Sequence, residues 1–200
     1  MKQNDPKIIG ITGGVGSGKS EVVKIFADKF NAYPIIADHI ARRLSEKGHV
    51  SYELIIKKFG RSILSKNGEI DRSKLADAVF GNNRLLNQLN AYIHPHVKEA
   101  ILKEVSDVKK TGGYDYIVIE AALLVDGGFQ DICDELWYVF SDEYIRRERL
   151  RALRNYSEGK INSIMNNQLS ESAYENACDR IIINNTNIDD VFWQIKKILN

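Results

Sequence analysis

The chain has 200 residues, 44% apolar and 28% charged, the balance of a soluble globular protein long enough to bury a sizeable core. A net charge of +1 gives no whole-molecule field toward nucleic acid or membrane, so any basic site must be local. Cys133 and Cys178 lack metal-ligand spacing. From the polar start Met1 to Pro6 no signal peptide is expected, and no apolar run reaches the ~18 residues of a membrane span, so reduced thiols in a cytoplasmic chain are expected.

Residues 7–12 read as a short buried strand, β-branched and closed by glycines. A glycine loop follows. Residues 20–30 place Val22, Val23, Phe26, Ala27 and Phe30 at helical spacing. Residues 33–37 form a second strand with Asp38 at its carboxyl end. From 41 to 110 the pattern is mostly helical, broken at 59–71 by Gly60 and the turn pair Asn67-Gly68. Asp71 is placed to cap the next helix. Val97, Ile101, Val105 and Val108 mark a helix predicted to open just after His94-Pro95 and to end at Thr111-Gly112-Gly113. Residues 114–120 and 136–140 are further strands, and Ser141 opens a charged helix reaching Arg154. Residues 180–183 make a last strand, and Asn187 caps a terminal amphipathic helix. Strands alternating with helices predict a parallel sheet covered on both faces, with the long helical stretch inserted over its carboxyl edge.

Gly13, Gly18, Lys19 and Ser20 satisfy the phosphate-loop spacing Gly-x4-Gly-Lys-Ser, after a strand and at the start of a helix. Glycines let backbone amides turn around phosphate oxygens, and the helix N-terminus adds partial positive charge. Lys19 supplies charge to the β- and γ-phosphates, and Ser20 a hydroxyl to Mg²⁺. Such a loop serves switches, motors and kinases alike. The short chain favours a kinase of a small acceptor.

A kinase needs a group to orient and deprotonate its acceptor. Asp38, just past the second strand, is a candidate, or else the N-cap of a helix over 40–46. Glu120, ending the central strand, could hold Mg²⁺ directly or through water, or be a strand-end charge in solvent. The run 146–154 carries Arg146, Arg147, Arg149, Arg151 and Arg154 against the single acid Glu148. Guanidinium groups suit phosphate and could line a lid, whereas any one of them alone reads as surface charge. Arg42 and Arg43, a turn beyond Asp38, could face an acceptor's own phosphates. A lone histidine such as His94 is more often structural than catalytic.

Taken together, these residues resemble the dephospho-CoA kinase family. The match covers the loop 11–20, Ala37-Asp38 with Ile40-Ala41-Arg42, Phe59-Gly60, Gly68 to Arg72 with Leu75, Val79-Phe80, Ile93-His94-Pro95, Leu123-Leu124, Gln168, and Asp179 with Ile182 and Asn184. The chain departs from the family pattern at Glu21, Ile36, Ala122 and Asp126. It also lacks the usual lid glutamine before the arginines and is one residue short around Asn155-Tyr156-Ser157. The resemblance implies transfer of the ATP γ-phosphoryl group to the ribose 3′-hydroxyl of dephospho-CoA, the last step of coenzyme A synthesis. It implies a P-loop α/β fold with a five-stranded parallel sheet, a core over about 1–40 and 112–200, a helical CoA-binding insertion over about 41–111, and a lid over about 142–168. On this reading Asp38, Lys19 and Arg154 are catalytic, and Gly14, Val15, Gly16, Ser17, Gly18, Lys19, Ser20, Glu21 and Arg149 hold ATP. Asp38, Arg42 and His94 hold the acceptor, and Ser20 holds Mg²⁺, with Glu120 reaching it through water. The expected partners are ATP and dephospho-CoA, with no nucleic acid or membrane, in a monomer or weak homo-oligomer. The competing readings are a nucleoside or nucleotide kinase and a nucleotide-binding paralogue of low activity.

Overall fold

A computed structural model describes residues 5–79, 82–121, 124–125 and 130–200. Phe80, Ala122, Leu123 and Asp126 of the motifs above lie outside the described residues. In chain order the elements are β1 (Lys7–Thr12), α1 (Lys19–Lys29), β2 (Ala32–Ile36), α2 (Ala37–Leu44), α3 (Val50–Phe59), α4 (Arg72–Val79) and α5 (Asn83–Thr111). They continue as β3 (Tyr116–Glu120), β4 (Glu135–Phe140), α6 (Glu143–Arg154), α7 (Glu158–Asn166), α8 (Glu171–Ala177), β5 (Arg180–Ile183) and α9 (Ile188–Leu199). The strands form the expected five-stranded parallel sheet, in the order β2-β3-β1-β4-β5. The chain divides into two compact units, Met1–Ile35 with Val108–Asn200, and Ile36–Asp107.

In the first unit β1, β3 and β4 are buried on both faces, which explains their continuous apolar runs. Ile9, Ile11, Ile117, Val118, Ile119, Trp137 and Val139 are all fully buried. The register pairs Ile11 with Glu120 and Thr12 with Tyr138, which brings the end of β1 beside the end of β3, while β4 runs on to Phe140. Gly10 interrupts the β1 run for a packing reason. A Cβ there would lie 2.5 Å from the Leu136 side chain and 2.8 Å from Cys133 Sγ. Phe26 anchors α1 on the sheet, its ring 5.3 Å from Trp137 and 6.0 Å from Tyr116, both edge-on. Burial raises the thiol pKa of Cys133 to about 12 and of Cys178 to about 11, with neighbouring Asp134 and Asp179 adding to the effect. Both therefore stay protonated at neutral pH.

The second unit is helical. Ile55, Ile63 and Leu89 form its core, with Phe59, Ile70, Leu75, Val79 and Ile93 packed against them. The break between α3 and α4 falls where the glycine and turn residues put it, and a bridge from Leu64 to Ile70 closes it. Asp71 Oδ1 accepts from the amides of Ser73 and Lys74, the cap expected for α4.

Two local expectations are corrected. The helix expected to open after His94-Pro95 is the continuous α5, beginning at Asn83 with Pro95 inside it. Proline in a helix interior costs about 3 kcal/mol, because it removes an amide and crowds the preceding turn. Buried Leu89 before it and Val97 and Ile101 after it anchor the helix on both sides. Asp38 is not a cap, because α2 starts at Ala37 with Ile36 in the cap position. Asp38 instead lies in the first helical turn, where a carboxylate favours the helix dipole.

Candidate functional site: a phosphate loop braced from behind

The loop from Gly13 to Gly18 leaves β1 and enters α1 through three left-handed glycines, Gly13, Gly16 and Gly18, with φ of 144°, 84° and 90°. Any other residue would be strained there. Gly18, at the N-cap of α1, has no side chain to cap the helix, which suits an end that receives phosphate. Its carbonyl accepts from the amides of Glu21 at 3.0 Å and Val22 at 3.3 Å.

Lys19 Nζ donates to the carbonyls of Gly13 at 2.9 Å and Gly14 at 3.2 Å, so the ammonium is held within the loop. Ser20 Oγ donates to Glu120 Oε1 at 3.3 Å. That contact follows from topology: Ser20 is in the first turn of α1, and Glu120 ends the strand beside β1. Two oxygen donors converge there, the kind of ligand a hard divalent cation takes. The Glu21 side chain is exposed and forms part of a groove between α1 and α9 with Lys24, Ile25, Asp28 and Phe192.

The arginines of α6 separate by helical face. Arg147 and Arg151 pair with Glu143, Glu148 and Glu158, surface contacts that solvent and salt screen. Arg146 and Arg149 share a face with buried Leu150 and reach the phosphate loop. Arg146, only 9% exposed, donates from Nε to the Val15 carbonyl at 3.0 Å and from Nη2 to Gln168 Oε1. Arg149 Nη1 donates to the carbonyls of Gly16 and Ser17, both at 3.3 Å, and to Ser141 Oγ at 3.0 Å. Burial lowers its pKa from that of a free guanidinium. Asn184, after β5, donates from Nδ2 to the Ser17 carbonyl at 2.8 Å. Arg154 is exposed in the last turn of α6, and among the described residues no hydrogen bond or ion pair reaches it.

Arg146 was expected only as one of the arginine run and Asn184 only as a family marker, with no site role given to either. The spacing of Arg146, Arg149 and Leu150 at i, i+3 and i+4 carries the signal for the first. For Asn184 only its place among the family markers does. The other late markers gain physical roles. Gln168 holds Arg146, and Asp179 Oδ2 accepts from the Leu136 amide at 2.7 Å, tying β4 to the start of β5.

The second unit holds Asp38, Arg42 and His94. Asp38 and Arg42 are one turn apart on α2, hence on one face. Arg72, at the start of α4, is close enough to feel both: its pKa is lowered by burial and by Arg42, against the opposing pull of Glu46 and Asp38. His94 is half-buried in α5, and burial lowers its pKa. Among the described residues no cluster of histidine, cysteine or carboxylate suited to a metal occurs, and no helix is long and apolar enough to cross a membrane.

Comparison with known proteins agrees with this architecture. The model of the dephospho-CoA kinase family matches residues 7–190. A dephospho-CoA kinase of Fusobacterium nucleatum is 39% identical over 191 residues, covering 95% of each chain. One of Carboxydothermus hydrogenoformans is 36% identical over 192 residues, covering 96% of this chain and 92% of its own. Among solved structures, that of TT1252 from Thermus thermophilus superposes with a TM-score of 0.81 at 25% identity, over 98% of this chain and 97% of its own. With a phosphate loop in place and the match running through nearly every element, the chain belongs to the dephospho-CoA kinase family.

Proposed function

We infer that this chain is an ATP-dependent dephospho-CoA kinase, transferring the γ-phosphoryl group to the ribose 3′-hydroxyl of dephospho-CoA. The observation that carries this reading is a complete phosphate loop, with Lys19 held inside it and Ser20 facing Glu120, in a chain matched by that family over residues 7–190.

In the proposed reaction the 3′-oxygen attacks the γ-phosphorus, the bond to the β–γ bridging oxygen breaks, and ADP leaves. The loop from Gly14 to Ser20 and the α1 N-terminus hold the β- and γ-phosphates. Lys19 offsets the charge that grows on the bridging oxygen. Asp38 orients the acceptor hydroxyl and takes its proton. Arg42 and His94 bind the acceptor. Arg149 supports ATP from behind the loop, with Glu21 at the edge of this set. Arg154, at the end of α6 and without a partner among the described residues, is the lid arginine that stabilises transferring charge.

Mg²⁺ fits the oxygens of Ser20 and Glu120, and when bound it would neutralise charge on the β- and γ-phosphate oxygens. The proposed division is a core over about 1–40 and 112–200, an acceptor-binding insertion over about 41–111 and a lid over about 142–168. The ordinary charge balance and protonated thiols suit a cytoplasmic monomer or weak homo-oligomer that engages neither nucleic acid nor membrane.

The test is a panel of acceptors with ATP and Mg²⁺. ADP release that depends on dephospho-CoA and not on nucleosides supports the reading. Turnover on a nucleoside alone replaces it with a nucleoside kinase, and ATP retention without acceptor-dependent ADP replaces it with a binding protein.

A further inference from the structure

The phosphate loop is gripped on its outer side by three side chains from two different elements. Arg146 binds the Val15 carbonyl at 3.0 Å, Arg149 the Gly16 and Ser17 carbonyls at 3.3 Å each, and Asn184 the Ser17 carbonyl at 2.8 Å. In a trans peptide the C=O of one residue and the N–H of the next point in opposite directions. Three consecutive carbonyls held toward α6 and β5 therefore turn the amides of Gly16, Ser17 and Gly18 to the other side. The Ser17 amide closes the loop's own turn on Gly14 O at 3.2 Å, which leaves those of Gly16 and Gly18 directed by the grip.

The gripping groups are themselves fixed. Arg146 is also bound to Gln168. The Asn184 amide donates to Phe140 O at 2.8 Å, and its carbonyl accepts from Arg149 Nη2 at 3.0 Å and from Ser141 Oγ. Asn184 is 5% exposed and Ser141 2%. The fit is close, because a Cβ on Gly14 would run into the Arg146 guanidinium and one on Gly18 into the Asn184 side-chain amide.

We propose that Arg146 and Asn184 are positioning residues that preset the phosphate loop, holding its peptide planes so that the amides of Gly16 and Gly18 already face the polyphosphate before it arrives. Neither needs to touch the nucleotide. Their effect is preorganisation: without them the loop must order itself at the moment of binding, which weakens affinity for any polyphosphate. The proposal rests on the ATP-binding part of the function inferred above and is independent of the acceptor.

The experiment uses inorganic tripolyphosphate with Mg²⁺ as the probe, by calorimetry on the full chain, because it carries no base or sugar. Arg146→Met and Asn184→Ala should each weaken tripolyphosphate and ATP binding by about tenfold or more. KM for ATP should rise in parallel while KM for dephospho-CoA stays within about twofold. Arg146→Lys, which keeps a donor and a charge, should recover most of the loss. Where Arg146→Met does not fold, Gln168→Leu frees the far side of Arg146 without altering the loop and should show a smaller loss of the same kind. Unchanged tripolyphosphate affinity in folded variants overturns the proposal. So does a loss confined to ATP, which would mean contact with the nucleoside. A parent protein that binds no tripolyphosphate instead overturns the ATP-binding reading itself.

Discussion

Lys19, Asp38 and His94 each make a prediction of their own. Lys19 is the only lysine in the loop, and its ammonium lies between two loop carbonyls. Lys19→Ala should abolish ADP formation while leaving the fold intact by circular dichroism. Asp38→Asn should retain ATP binding and lose about 10²-fold or more in kcat if the carboxylate takes the acceptor proton. A near-normal rate would assign Asp38 only to the α2 helix dipole. His94 has a pKa lowered by burial, so the folded state favours the neutral ring. The unfolded chain then binds more protons between the folded pKa and the unfolded value of about 6.5, and stability falls as pH drops through that window. Denaturant titrations at pH 7.5 and 5.5 should show this loss, and His94→Gln should make it smaller.

Among the elements, α1 depends on one side chain. Phe26 is fully buried against Tyr116 and Trp137, so Phe26→Ala should cost about 3–5 kcal/mol, read as a lowered urea midpoint. The terminal helix α9 was read correctly from its start, with Asn187 Oδ1 accepting from the Asp190 amide at 3.0 Å. Strands were legible because β1, β3 and β4 are buried on both faces and so carry unbroken apolar runs. The start of α5 was not, because His94-Pro95 carries a stop signal that Leu89, Val97 and Ile101 override through burial. The functional face of α6 was only half legible. Composition pointed to the arginine run, but which arginines turn inward depends on the placement of Leu150 and on the loop they meet. The grip on the loop carbonyls joins residues more than a hundred positions apart, and no local pattern encodes it.

At the scale of the whole molecule, the glycine loop by itself implied only a bound nucleotide. The strand order and the helical unit at 36–107 describe the fold, and the family match over 7–190 is what points to the acceptor. The most direct test follows the transferred atoms. ATP labelled with ¹⁸O at the non-bridging γ-oxygens is incubated with the protein, Mg²⁺ and dephospho-CoA, and the products are read by mass spectrometry and phosphorus NMR. The account predicts one ADP per 3′-phosphate ester formed, with the label carried on that ester. Label recovered only in inorganic phosphate, or on a hydroxyl other than the ribose 3′-position, would contradict it.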